Sequence, residues 1–148
     1  MAIDDIQATV LANTGNTPTS NSVEDAQRYV VSTIPKNLLK WASNETTSGS
    51  HGGDSSTTTI TLPNKNDKIL SVRRGDYNAD EVSIEDKGFV GNSSSLKLAT
   101  SVFPKYWRES GNVIQVKPTP TDSTTAHVEY VDYSKLDDTS DLRNAVIN

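Results

Sequence analysis

The chain has 148 residues, no cysteine, a formal net charge of -5 and a hydrophobic fraction of only 33%. The missing cysteines exclude disulfides, thiolate metal sites and a cysteine nucleophile. The acidic balance argues against a free nucleic-acid binder, which needs a basic patch to neutralise phosphates, and no stretch approaches the ~20 apolar residues of a membrane span.

The N-terminus, Met1-Ala2-Ile3-Asp4-Asp5, lacks the basic start of a signal peptide. Ile3, Ile6, Val10 and Leu11 lie at helical spacing, which predicts a short helix to about Ala12. Asn13 to Asn21 reads as a loop around Pro18. Ser22 is placed to cap a second helix over Ser22–Ile34, with Val23, Ala26, Val30 and Ile34 as its apolar stripe and Glu24 and Asp25 at the positive end of its dipole. Pro35 ends that helix and suits the start of another, Lys36–Ser43, with Leu38, Leu39 and Trp41 as contacts. Asn44–Thr59 is a Ser/Thr/Gly-rich loop containing His51-Gly52-Gly53-Asp54, too polar to offset its own ordering entropy.

Strand signals come next. Thr57–Leu62 alternates with Ile60 and Leu62 on one face, residues 63–67 turn the chain, and Lys68–Arg74 is a second strand. Arg73 and Arg74 are adjacent on it, so they point to opposite faces and make no patch; the other basic residues, Lys36, Lys40, Lys105 and Arg108, are scattered. Glu81–Glu85 alternates Val82 and Ile84, residues 88–95 read as a loop around Phe89 and Val90, and Pro104–Gly111 is an aromatic strand ending in a turn. Residues 113–117 and 126–133 are two alternating runs split by a Pro/Thr/Asp/Ser turn, which predicts a closing β-hairpin. Leu142, Val146 and Ile147 then mark one apolar face of a helix begun near residue 141, and such a face lies against something, another chain included.

Helices first, an antiparallel sheet in the middle and a helix at the end make an α+β chain. The expected divisions are a helical part at 1–43, a β-domain at 57–133 and the start of a C-terminal helix at 141–148. A mean hydropathy of -0.55 predicts a thin β-body with long loops that draws part of its stability from partners.

Signatures of chemistry fail one by one. Asp76-Tyr77-Asn78-Ala79-Asp80-Glu81 opens like a calcium loop, but Glu81 stands where such a loop needs Gly and Lys87 where it needs Glu. His51 and His127 are the only histidines and neither has a second ligand nearby in sequence. There is no nucleophile elbow and no phosphate-binding loop. An enzyme is not expected, and neither is a cofactor or a metal site. Tyr106, Trp107, Tyr130 and Tyr133 could form a sugar-stacking platform, although so polar a sheet needs these large side chains for its own core.

The order of features resembles the head-to-tail adaptor (neck, connector) proteins of tailed bacteriophages, marine and cyanobacterial phages in particular. The resemblance is carried by the amphipathic Ser22–Trp41 with Pro35 and Leu38-Leu39-Lys40-Trp41, by Ile69-Leu70-Ser71-Val72-Arg73-Arg74, and by Phe103-Pro104-Lys105-Tyr106-Trp107. Gly111 to Pro120, Val128-Glu129-Tyr130-Val131 and Leu136-Asp137-Asp138 leading to a helix complete it. It implies a helical hairpin with an inserted β-domain, assembled as a homo-oligomeric ring, a dodecamer, that bridges the portal protein and the next neck or tail protein. It also implies a virion location after assembly in the host cytoplasm, no catalytic residues, no membrane, and DNA passing through without specific binding. The interface candidates are Leu142, Val146 and Ile147 on the C-terminal helix and His51 and Asp54 in the long loop. The alternative is a β-sandwich glycan-recognition module of a tail fibre or surface adhesin. Stopper, terminator and collar positions in the same tube are not separated from an adaptor by patterning.

Overall fold

The computed structural model describes residues 3–48, 59–121 and 124–136. The chain divides into two compact units. One takes in the residues up to Ser43 together with those from Val131 on; the other is the intervening stretch Asn44–Tyr130. Both helices and sheets are present, and the class is α+β. The expected helix at 141–148 lies outside the described residues.

In the helical unit, α1 spans Ile3–Thr14 and α2 spans Ser20–Thr33. The cap of α2 is Thr19 rather than Ser22: Thr19 is extended and its hydroxyl accepts from the Ser22 N–H at 3.2 Å. A hydroxyl three residues upstream of Ser22 reaches the third orphan N–H of the first turn, so the helix begins two residues earlier than Ser22. The buried stripe is Val23, Gln27, Val31 and Ile34, while Ala26 and Val30 are exposed. Both sets have helical spacing. The observed one leaves Arg28 beside the stripe, with its guanidinium 4.9 Å above the Tyr133 ring. Ile34 takes an extended conformation before Pro35, as the ring of proline demands of its predecessor.

Two 3-10 turns follow, Lys36–Leu38 and Lys40–Ala42, in place of the expected helix. They bury Leu39 and Ala42 and leave Trp41 45% exposed. Tyr133–Leu136 forms a further 3-10 turn in the same unit, joined by the Asp132 N–H donating to the Ala42 carbonyl at 2.8 Å. Lys135 Nζ donates to the Ser43 carbonyl.

The β-unit is two four-stranded sheets. The first contains β1 (Ser43–Thr47), β3 (Ile69–Arg74), β4 (Tyr77–Asn78) and β8 (Ala126–Val131), in the order β1-β8-β3-β4. The second contains β2 (Thr59–Thr61), β5 (Asp80–Glu81), β6 (Lys105–Ser110) and β7 (Val113–Lys117), in the order β2-β7-β6-β5. The polar run after residue 43 is therefore a strand in its first part, and the β-unit opens thirteen residues before position 57.

The expected pairing of 113–117 with 126–133 does not occur. β7 pairs with β6 and β2, whereas β8 pairs with β3 and lies beside β1 in the other sheet. Pro118 and Pro120 lack the N–H that a ladder needs, so the chain leaves the second sheet there. Arg74 fixes the departure by donating to the carbonyls of Pro118 (2.8 Å) and Thr119 (3.3 Å). The real hairpin is β6–β7, closed over Gly111-Asn112. Arg108 donates to the Gly111 carbonyl inside it and to the Asp67 carbonyl at 2.6 Å. A Cβ at Gly111 would sit 3.3 Å from the Lys65 side chain, a tight approach that would make Lys65 give way by a few tenths of an ångström.

Alternation explains the core. Ile60 and Leu62, Ile114 and Val116, and Tyr106 face Ile69, Val72, Ala126, Val128 and Tyr130 of the opposite sheet in one buried cluster. Between the sheets the chain crosses at Ala79, whose N–H donates to the Val72 carbonyl at 2.8 Å. The pairing of β5 with β6 is parallel.

Candidate functional site

The expected interface residues Leu142, Val146, Ile147, His51 and Asp54 all lie outside the described residues. Three groups of functional interest lie within them.

The first is the aromatic cluster. Tyr106 faces the core, and its hydroxyl donates to Glu81 Oε2 at 3.1 Å. Burial, with the Glu81 charge behind it, pushes the Tyr106 hydroxyl pKa upward, so the phenol stays neutral and remains a donor. Trp107, one residue on, points to the opposite face and is still only 6% exposed. The 3-10 turn Ile84–Asp86 lies against β6 on its way to α3 (Lys87–Val90), and Trp107 Nε1 donates to Glu109 Oε2 at 2.5 Å. Tyr130 is buried in the core and the Tyr133 ring is covered by Arg28. A sugar-stacking platform needs open ring faces; these rings are used for packing.

The second group is the solvent face of the first sheet. Glu45 of β1 receives the Nδ1 hydrogen bond of His127 at 2.8 Å on one oxygen and Arg73 Nη2 at 3.2 Å on the other. Ser71 donates to Glu129 at 2.9 Å beside them. The hydrogen bond from His127, then that from Arg73, hold the Glu45 carboxyl below its ordinary value. Here Arg73 and Arg74 diverge as adjacent strand residues must: Arg73 serves the outer face and Arg74 is buried. The arrangement ties β1 to β3 and β8. Among the described residues no group of three or more His, Asp or Glu side chains could hold a metal ion. Asp76 to Glu81 forms β4 and β5, not an ion-binding loop.

The third group was not legible as a site. Between β5 and β6 the chain makes an excursion, residues 82–104, that leaves Ile84, Phe89, Leu96, Val102 and Phe103 exposed. Leu96 is 107% exposed, Phe103 66% and Phe89 52%. Ile84, expected on a strand, sits instead on the 3-10 turn. Val90 and Pro104 are buried and anchor the segment. The available signal was a set of large apolar residues among Gly, Asn and Ser, with neither a twofold nor a 3.6-residue period. Residues placed so have no core face to occupy.

No helix among the described residues is long and apolar enough to cross a membrane. No family model matches the chain, and comparison with curated proteins and with solved structures finds no match.

Proposed function

We propose that this chain is a virion structural protein of a tailed phage, a subunit of the head-to-tail adaptor (neck) ring that bridges the portal protein and the next neck or tail component. It acts by oligomeric assembly and not by catalysis. The observation that carries this reading is the interrupted helical unit. The chain enters the β-unit after Ser43 and is back in the helical unit at Val131. The Asp132–Ala42 backbone hydrogen bond joins the way out to the way in. A helical element with a β-domain inserted is the organisation implied by the resemblance of Ser22–Trp41 and Gly111–Val131 to neck proteins.

The acidic balance of -5 supports the same reading. A passage for DNA must not adhere to phosphate, and an acidic wall repels it. The burial of Tyr106, Trp107 and Tyr130 favours this reading over glycan stacking on those rings.

The test is co-expression of the full chain with its phage's portal protein, followed by size-exclusion chromatography with light scattering and negative-stain imaging. The expected result is a ring of this chain on the portal. A chain that never joins the portal overturns the reading.

A further inference from the structure

We propose that the side chains of Lys135 and Asn44 close the outer edge of β1, so that no strand of another molecule adds to the first sheet there. This closure is independent of the neck assignment, because it withholds one edge from pairing whether the chain works alone or in a ring.

A strand at a sheet edge offers a row of backbone N–H and C=O groups to any strand that meets it. Among the described residues, the edge strands β4 and β5 have 2 residues each and β2 has 3, whereas β1 has 5. β1 is therefore the edge most open to pairing. Its own sequence, Ser43-Asn44-Glu45-Thr46-Thr47, holds neither lysine nor proline, the residues that usually guard an edge. Its one charge, Glu45, is already paired with His127 and Arg73.

The bonds that β1 makes inward fix which of its groups face outward. The Asp132 N–H donates to the Ala42 carbonyl and the Ser48 N–H to the Ala126 carbonyl, both at 2.8 Å. One partner rises from 42 to 48 while the other falls from 132 to 126, so β1 and β8 run antiparallel. In such a ladder, alternate residues turn both backbone groups to the partner. Ala42, Asn44, Thr46 and Ser48 turn theirs to β8; Ser43, Glu45 and Thr47 turn theirs to the outer edge.

The first three of these outward groups are bonded within the chain. The Ser43 N–H donates to the Lys40 carbonyl as the 3-10 turn ends. The Ser43 carbonyl accepts from Lys135 Nζ, brought from 92 residues away in sequence. The Glu45 N–H donates to Asn44 Oδ1 at 2.9 Å. Lys135 is held in place by its turn: its N–H donates to the Asp132 carbonyl at 3.1 Å, and the Asp132 carboxylate accepts from the Ser134 N–H and hydroxyl. A strand arriving at β1 must displace the Asn44 amide and a strongly hydrated ammonium before it can pair. The strand lacks a guarding lysine of its own, and one is supplied from the far end of the insertion.

The experiment is sedimentation velocity on the full chain across a micromolar concentration series, with circular dichroism to check the fold. Asn44→Val/Lys135→Met removes both covers. Relative to the wild type, whatever its own state, the double variant is expected to associate about tenfold or more tightly. Adding Thr47→Pro is expected to reverse the gain, because proline takes away the outward N–H of residue 47 and leaves the bonds to β8 intact. Lys36→Met, the loss of another exposed lysine, is the control and is expected to match the wild type. Both lysine changes leave the chain more acidic, so charge repulsion works against the expected gain. A double variant that associates no more than the wild type overturns the proposal. So does a gain that survives Thr47→Pro, which then arises from another surface or from partial unfolding, and so does an equal gain in Lys36→Met. Lys135 is exposed; should the double variant misfold, Lys135→Met alone is measured with and without Thr47→Pro, and the same outcomes decide.

Discussion

The Asp132 backbone N–H meets the Ala42 carbonyl oxygen at 2.8 Å, across roughly ninety residues of intervening chain. The Asp132 side chain also caps the 3-10 turn at Tyr133–Leu136, accepting from the Ser134 N–H at 3.0 Å and the Ser134 hydroxyl at 2.7 Å. The start and finish of the insertion thus share one point. An insertion with adjacent ends and a core of its own is a candidate autonomous domain. The excised segment Asn44–Tyr130 is expected to give a β-type circular dichroism spectrum and a cooperative urea transition. A featureless melt would mean that the β-unit leans on the helical unit.

The two tryptophans differ in exposure, 6% for Trp107 and 45% for Trp41. Acrylamide is expected to quench Trp41 readily and Trp107 poorly, as resolved with the single variants Trp41→Phe and Trp107→Phe. Truncation of the buried ring, Trp107→Ala, is expected to cost ~3–5 kcal/mol in urea unfolding. Trp41→Ala, at an exposed position, is expected to cost less than ~1 kcal/mol. Equal costs would contradict the burial.

Arg74 is a buried cation whose partners are two carbonyls at the corner where the chain leaves β7. Burial lowers its pKa, yet a guanidinium keeps its proton at any ordinary pH. Arg74→Met keeps the aliphatic bulk and removes both hydrogen bonds, leaving the Pro118 and Thr119 carbonyls without that donor. The expected loss is ~1.5–3 kcal/mol, the range for hydrogen bonds to a charged group, and it is expected to be flat between neutral and mildly acidic pH. A loss that varies steeply over that range would point to a different partner for the guanidinium.

Glu45 behaves oppositely. Its folded-state pKa lies below its ordinary value of 4.5 because His127 and then Arg73 hydrogen-bond to the carboxylate. A depressed carboxyl contributes stability that is fully present above the unfolded value and is lost as pH falls through the folded one. Glu45→Gln is therefore expected to lower the urea midpoint at pH 7 and to leave it unchanged well below pH ~4. The carboxylate is nearly half exposed, so solvent screening holds the difference to at most ~1 kcal/mol. Urea titrations at a series of pH values check it; a difference that grows on acidification reverses the sign and refutes the linkage.

Strand faces were legible in the sequence. Ile60 and Leu62, and Ile114 and Val116, alternate as they do in the folded chain. Strand partners were not legible. Period-2 alternation says which side chains turn inward but not which ladder a strand joins, and 113–117 and 126–131 alternate equally well whether paired or separated. The prolines at 118 and 120 held the missing information, read as a turn when they mark a change of sheet. The stripe of α2 was ambiguous for a related reason: Val30 and Val31 both satisfy a helical spacing, and a tertiary contact of Arg28 with Tyr133 accompanies the choice of Val31. Of the excursion, only a loop around Phe89 and Val90 at residues 88–95 was legible. Phe89, Leu96 and Phe103 have no periodicity to place them in a core.

The order β1-β8-β3-β4 places the last of the described strands in the interior of its sheet, between two made long before it. Until the ribosome has delivered residues 126–131, β1 and β3 have no common neighbour and the inner face of that sheet is open. Closure must then span the whole insertion, which is a slow, non-local event. The nascent polypeptide therefore emerges with that sheet unzipped, and its closure waits for translation to pass residues 126–131.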